Sequence, residues 1–404
     1  MRSRLVAGLG VGAYMGLGLP SGALGVAWPS MRESFSQPLG ALGQILVLFT
    51  VGYLVAAIAH GRIAERVSTG TFLTGSSAIG ATALLLVAVV PVWPLVLVAS
   101  ALQGISAAGV DAELNAYVAV HHPPRVLQLM HGGFGIGATA GPVLVTGLLE
   151  LGGSWRLAYV LMGSWWVVAA VAFALTRRSW VDSSTVEVRA LTGGERSAAA
   201  VSSIVPDPPL TPRMRLAVVV GLGAFFFYNG LEIATGTWAF SALVADGMTD
   251  GPAALSVTAF WAALTAGRLG LGLAGHRAPP SRVLGVSMAG IPLSAALVLV
   301  GGPVAVVGLV LLGTALAGVF PALVALTPGR LGSARARRLM GVQFGSAVVG
   351  AAAVSSLVGV IAEWVGAGAI VPTLLVAAVA LVSCDRFLAL LDRPRPLVPS
   401  PPSP

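Results

Sequence analysis

The chain has 404 residues, 56% of them hydrophobic and 9% charged, and its mean hydropathy is +0.90. Soluble globular chains carry about 25% charged residues, so this composition cannot cover a surface in water and reads as an integral membrane protein. All 23 basic residues are arginine, which excludes Schiff-base lysine chemistry, a phosphate-loop lysine and a pyridoxal enzyme, and the single Cys384 allows neither an internal disulfide nor a thiolate metal cluster.

A spanning helix needs about 20 apolar residues. Breaks bearing Arg, Pro or Gly cut the chain into twelve such pieces, over residues 5-29, 39-60, 71-90, 93-120, 127-149, 156-176, 214-245, 253-275, 283-301, 303-327, 339-362 and 366-390. The start, with Arg2 and Arg4 ahead of an apolar run, has the form of a secretory signal, but that run is too long at about 25 residues and reads as the first span. No charge separates the third span from the fourth, so their division rests on Pro91 to Pro94, with Gly301-Gly302-Pro303 as the counterpart in the second half.

Residues 177-213 are the long polar stretch, rich in Ser, Thr and Pro with mixed charge and no apolar period. They read as a cytoplasmic linker between an N-terminal six-helix bundle, 1-176, and a C-terminal six-helix bundle, 214-391, with 392-404 as a disordered Pro-rich cytoplasmic tail. The turn Gly61-Arg62-Ile63-Ala64-Glu65-Arg66 after the second span is matched by Gly272-Leu273-Ala274-Gly275-His276-Arg277 after the eighth. Two pseudo-symmetric repeats of six spans in parallel orientation predict a transporter built as two rocking bundles, all-α and embedded in the lipid bilayer.

Placing the N-terminus in the cytoplasm puts Arg2, Arg4, Arg62, Arg66, Arg125, the arginines between Arg177 and Arg215 and those from Arg268 to Arg395 on or near one side, and leaves Arg32 and Arg156 on the other. The positive-inside rule then predicts both termini cytoplasmic in a multi-pass protein of the cell (inner) membrane. The net charge of +8 is thereby a topology signal, and no nucleic-acid partner is implied.

Four ionisable residues lie within spans, where a charge is costly unless it meets a partner or a water-filled cavity: Asp111 and Glu113 in the fourth, Glu232 in the seventh and Arg268 in the eighth. At about 100° per residue, Asn115 lies about 40° and Gln103 about 80° from Asp111 along one polar stripe, whereas Glu113 lies about 160° away on the opposite face. Asp111, Glu232 and Glu113 are the candidates for binding a coupling proton; the bland reading of Glu113 is a structural pair with a neighbouring helix.

In the seventh span, Tyr228, Glu232 and Thr235 fall within an arc of about 60°, with Asn229 beside them and Trp238 nearly three turns on from Tyr228. Hydroxyl, amide, carboxylate and indole on one stretch can hydrogen-bond to and stack on a polyol, or can clamp helices together. Gln343 repeats the theme in the eleventh span, and His131, one turn inside the fifth, can bind solute and titrate near neutrality or simply pack. Arg268 can neutralise an acid in the bundle or serve as a cytoplasmic-side gate; Glu232, the nearest acid in sequence, lies about 9 Å further along the axis.

The stretches Gly8-x-Gly10-x-x-Ala13 and Gly133-x-Gly135-x-x-Ala138 match a loose dinucleotide fingerprint, but neither follows a strand, so no cofactor is expected. Gly133, Gly137 and Gly141, spaced by four, read as a close-packing face. No Ser-His-Asp set, nucleotide loop or metal-ligand cluster is present in the sequence, and an enzyme is not expected.

With these residues in view, the chain resembles the major facilitator superfamily over essentially its whole length. The loop GRIAERVSTG is similar to the motif that follows the second helix in that family, with Glu65 for the usual Asp, and Ser68 and Thr69 where Gly and Arg are usual. Gly61, Arg62, Glu65 and Arg66, with Arg268, are on this resemblance gating residues. GVDAELNAYV is similar to the fucose/galactose/glucose-proton symporter branch, where an acid precedes an Asn by four residues, as Asp111 precedes Asn115. HGGFGIGATAGP, YNGLEIATGTW and FWAALTAGRLGLGLAGHR resemble further stretches of that branch. One departure is clear: its first helix carries an acid four residues before a Pro, and here that position, counted from Pro29, is Gly25.

The resemblance implies a monomeric, proton-coupled importer of a sugar or similar small polar solute working by alternating access, with Gln103, Asn115, His131, Tyr228, Asn229, Thr235, Trp238 and Gln343 as solute contacts. The alternative is a drug or metabolite efflux proton antiporter, for which Gly137-x-x-x-Gly141-Pro142 is a partial match to the antiporter motif of the fifth helix. A third class is a transporter-like sensor that binds without transport.

Overall fold

The computed structural model describes residues 2–122, 124–180, 211–274, 278–331 and 333–392. Residues 181–210 of the expected linker, 275–277 of the second-half turn and the 393–404 tail lie outside these, as do the side chains of Arg2, Arg4, Arg337 and Arg338. The long helices are α1 Arg2–Ser34, α2 Leu42–Ala64, α3 Thr69–Val89, α4 Trp93–His121, α5 Pro124–Glu150, α6 Trp155–Thr176, α7 Pro212–Ala245, α8 Asp250–Ala274, α9 Pro280–Val300, α10 Gly302–Ala317, α11 Val319–Leu331, α12 Ser333–Val365 and α13 Ile370–Asp392. Among the described residues there is no strand, and twelve spans are long and apolar enough to cross a membrane.

Local chemistry sets the breaks. Val90, ahead of Pro91, is extended, as the residue before a proline prefers, and Pro94 falls in the first turn of α4, where its missing N–H costs nothing. Gly301 turns the chain between α9 and α10 at φ +83°, a left-handed conformation that glycine adopts without a Cβ clash, and Asp246 Oδ2 accepts the Gly302 N–H at 2.9 Å. The tenth span, expected to be unbroken, is divided at Gly318. Pro321 has no N–H to offer the Ala317 carbonyl four residues earlier, so the ladder lapses there.

Helix pairing repeats with a period of six spans. In the first half α1 packs on α5, α2 on α4 and α3 on α6; in the second α7 packs on α12, α8 on α10 and α9 on α13. The Gly137 and Gly141 face lies against α1, where a Cβ would collide with the Met15 and Leu19 carbonyls, so the two backbones run in contact. Outward-facing Val168, Leu255 and Val376 are about two-thirds exposed, a surface suited to lipid and unsuited to water.

The halves meet along α1 with α7, α2 with α12 and α5 with α8. At the end away from the arginine-bearing loops, Gly25 of α1 rests on the Thr237 carbonyl of α7. Two hydrogen bonds cross between halves at this end: the Gly40 N–H donates to Glu363 Oε2 at 3.2 Å, and the Ser356 hydroxyl donates to the Gly43 carbonyl at 3.3 Å. Trp28 and Trp238 are fully buried behind this seam.

Candidate functional site

Asp111 occupies the first wall, on α4. The Tyr14 hydroxyl of α1 donates to its Oδ1 at 2.6 Å, the Asn115 amide one turn along α4 donates to the same oxygen at 2.9 Å, and the Tyr53 hydroxyl of α2 donates to Oδ2 at 2.9 Å. Three neutral donors from three helices offset the cost of holding a carboxylate away from bulk water. The His131 ring of α5 stands edge-on to Tyr14, with centroids 5.1 Å apart.

The second wall is a triad. Tyr228 and Glu232 lie one turn apart on α7, and Arg268 reaches them from α8: its Nη2 donates to Glu232 Oε2 at 2.7 Å and to the Tyr228 hydroxyl at 2.6 Å, while that hydroxyl donates to the same Glu232 oxygen. The axial offset that set Glu232 and Arg268 apart in the sequence is spanned by the length of the arginine side chain. Phe320 of α11 packs on Tyr228 at 5.9 Å and on Phe344 of α12 at 5.4 Å. His131 is exposed and stands between the walls: its ring meets Tyr14 on one side, and its neighbour Gly132 lies against Leu269, next to Arg268, on the other.

Residues 10–342 match the model of the Major Facilitator Superfamily. The chain belongs to that superfamily. Membership makes it a multi-pass membrane transporter rather than an enzyme. Among solved structures, it is similar to a mutant form of the nucleoside transporter NupG, at 14% identity over 96% of this chain and 100% of that one, with a TM-score of 0.73. It is also similar to the E. coli fucose:proton symporter FucP, at 19% identity over 96% and 98% with a TM-score of 0.61, and to the peptide transporter POT in complex with sulfate, at 16% identity over 96% and 95% with a TM-score of 0.69. At such identities the likeness is one of fold. No curated protein matches the sequence significantly.

Other residues singled out in the sequence stand apart from the two walls. Glu113, on the far side of α4, meets His60 Nε2 of α2 at 2.8 Å. The Trp238 indole N–H donates to the Ser355 carbonyl at 2.9 Å and the Asn229 amide to the Ala347 carbonyl at 2.9 Å, so both side chains tie α7 to α12. Thr235 is buried with its hydroxyl unpaired and lines an apolar cavity of about 150 Å³ within the second half, bordered also by Leu231, Leu309 and Val371. Gln343 is buried near Thr327 with Oε1 unpaired, and Gln103 is buried about two turns from Asp111, its Oε1 also unpaired.

Position 25 of the first helix carries no acid, and the packing gives the reason: a Cβ at Gly25 would collide with the Thr237 carbonyl. Tyr14, about three turns earlier, supplies a hydroxyl to Asp111 from the same helix. Nothing in the sequence pattern marks Tyr14, Tyr53, His60 or Phe320; the one available signal is the seven-residue spacing of Tyr53 and His60, which places both on one face of α2. Arg62, Glu65 and Arg66 are exposed, and no ion pair among the described residues engages them, so the Gly61 to Arg66 loop is unlatched. His131 of α5 and Arg268 of α8 both keep accessible surface, on two helices that meet between the halves.

Proposed function

We propose that the protein is a secondary active transporter that moves a small polar solute of the sugar class by alternating access, coupled to protons. The observation that carries this reading is the Asp111 carboxylate held by Tyr14, Tyr53 and Asn115 on one wall, facing the Tyr228–Glu232–Arg268 triad on the other across His131. An ionised Asp111 resists enclosure in a closing cavity and a protonated one does not, so proton binding biases the exchange between open states. We read the accessible surface of His131 and Arg268, beside a far end closed by the Gly40 and Ser356 hydrogen bonds, as a cleft that opens toward the arginine-bearing end; that end is cytoplasmic by the positive-inside rule, which makes this the inward-open state and puts both termini in the cytoplasm of the inner membrane. Asp111 is the coupling acid, Glu232 holds Arg268 in place, and one copy of the chain suffices because both walls belong to it.

The test is a thermal-shift screen of the purified protein against sugars, polyols, amino acids and lipophilic cationic drugs, with Asp111→Asn and Glu232→Gln in parallel, since a ligand of the folded state raises the melting temperature. A polyhydroxylated hit weakened by Glu232→Gln supports the reading. A response confined to lipophilic cations overturns it in favour of an efflux antiporter.

A further inference from the structure

The two members of the buried ion pair do not face the cleft equally. The Arg268 side chain is 28% exposed, the Glu232 side chain 4%, and Tyr228 is fully buried. A solute in the cleft therefore meets the arginine side chain first, with its counter-ion hidden behind it. Both hydrogen bonds of that guanidinium use Nη2, and Nε and Nη1 make none among the described residues. They keep three N–H donors for something in the cleft.

We infer that the transported solute carries a carboxylate, as a sugar acid does, and that Arg268 binds it through Nε and Nη1. This rests on the carrier reading above and narrows its solute. One argument favours an anion over a neutral sugar. When the cleft closes, water leaves these donors, and a carboxylate replaces it with charge-assisted bonds roughly twice as strong as those a hydroxyl makes. The sugar ring finds its platform on Phe320 and on Phe344, which is 41% exposed.

The experiment compares matched pairs on the full-length protein in detergent: D-glucuronate with D-glucose, D-galacturonate with D-galactose, and D-gluconate with sorbitol, each titrated by thermal shift and by isothermal calorimetry. At least one acid is expected to bind about tenfold or more tightly than its neutral partner, the scale of a lost charge-assisted hydrogen bond. Arg268→Gln should erase that preference. Because it strands a buried Glu232, the double variant Arg268→Gln/Glu232→Gln, which leaves no unpaired charge, is measured beside it. Equal or tighter binding of the neutral partner, an acid preference that survives in the double variant, or no binding of any acid overturns the inference. Proton-driven uptake of a neutral sugar in the first or last case would leave the carrier reading standing.

Discussion

The hydroxyl of Tyr14 donates to Asp111 across 97 residues of sequence, and it does so at 2.6 Å, closer than Tyr53 at 2.9 Å. Tyr14→Phe removes that bond without changing the packing of the ring against His131, and a hydrogen bond to a charged group is worth about 1.5–3 kcal/mol. The variant should melt lower than wild type and accumulate solute several-fold more slowly. Thermal melts and proton-driven uptake in vesicles check it, and unchanged values in both would show that Tyr14 does not support the acid.

Asp111→Asn keeps the Asn115 and tyrosine contacts feasible but fixes the site in a neutral state. Accumulation against a gradient should be abolished, whereas exchange of labelled for unlabelled solute across the membrane should continue. Counterflow and proton-driven uptake in the same proteoliposomes separate the two, and undiminished accumulation would remove Asp111 from its role as coupling acid.

The spans were legible because each is an apolar run closed by Pro, Gly or Arg, and the division at Pro91 to Pro94 shows how two prolines suffice where no charge helps. Which face of a span meets which neighbour was not legible. Helices in a bilayer are apolar nearly all round, so periodicity does not fix their rotation. Trp238 and Asn229 look like cavity residues in sequence, yet each satisfies its polar group on a carbonyl of α12, a partner more than a hundred residues away. Tyr14 and Tyr53 failed to stand out for the converse reason: a tyrosine in a span carries no sign of whether its hydroxyl reaches an acid. Arg268 and Glu232 were visible as buried charges because such charges are rare in spans, and only their contact awaited the structure.

Glu113 lies two residues from Asp111 but faces the other way, bonded to His60 beside Phe72. Glu113→Gln should retain proton-driven accumulation and lower stability by about 1.5–3 kcal/mol, the range for a hydrogen bond to a charged group. Thermal melts paired with uptake assays test this. Loss of accumulation in a well-folded Glu113→Gln protein would place this acid on the proton path.

Removing one partner of a buried ion pair strands the other, at a typical cost of about 3–5 kcal/mol. Arg268→Ala leaves the Glu232 carboxylate with Tyr228 alone, so it should destabilise the protein strongly, while Arg268→Gln/Glu232→Gln should regain most of that loss and remain inactive in transport. Melting temperatures of wild type and the two variants supply the comparison. If the double variant melts as low as Arg268→Ala, the penalty comes from lost packing rather than from an unpaired charge.

The seam that seals the far end depends on a missing side chain. Gly25 lets α1 rest directly on the Thr237 carbonyl, and Gly40 and Ser356 place hydrogen bonds across the same end. In Gly25→Val the new Cβ collides with α7, so closure at this end becomes strained and the population shifts toward the state open there. Cys384 is the single cysteine of the chain, so Cys384→Ser gives a background in which Ser356→Cys reports on the seam through labelling by a membrane-impermeant maleimide. Labelling from the outer face should be slow in that background and rise several-fold when Gly25→Val is added. Equal rates in the two proteins would mean that contact at Gly25 does not hold the end shut.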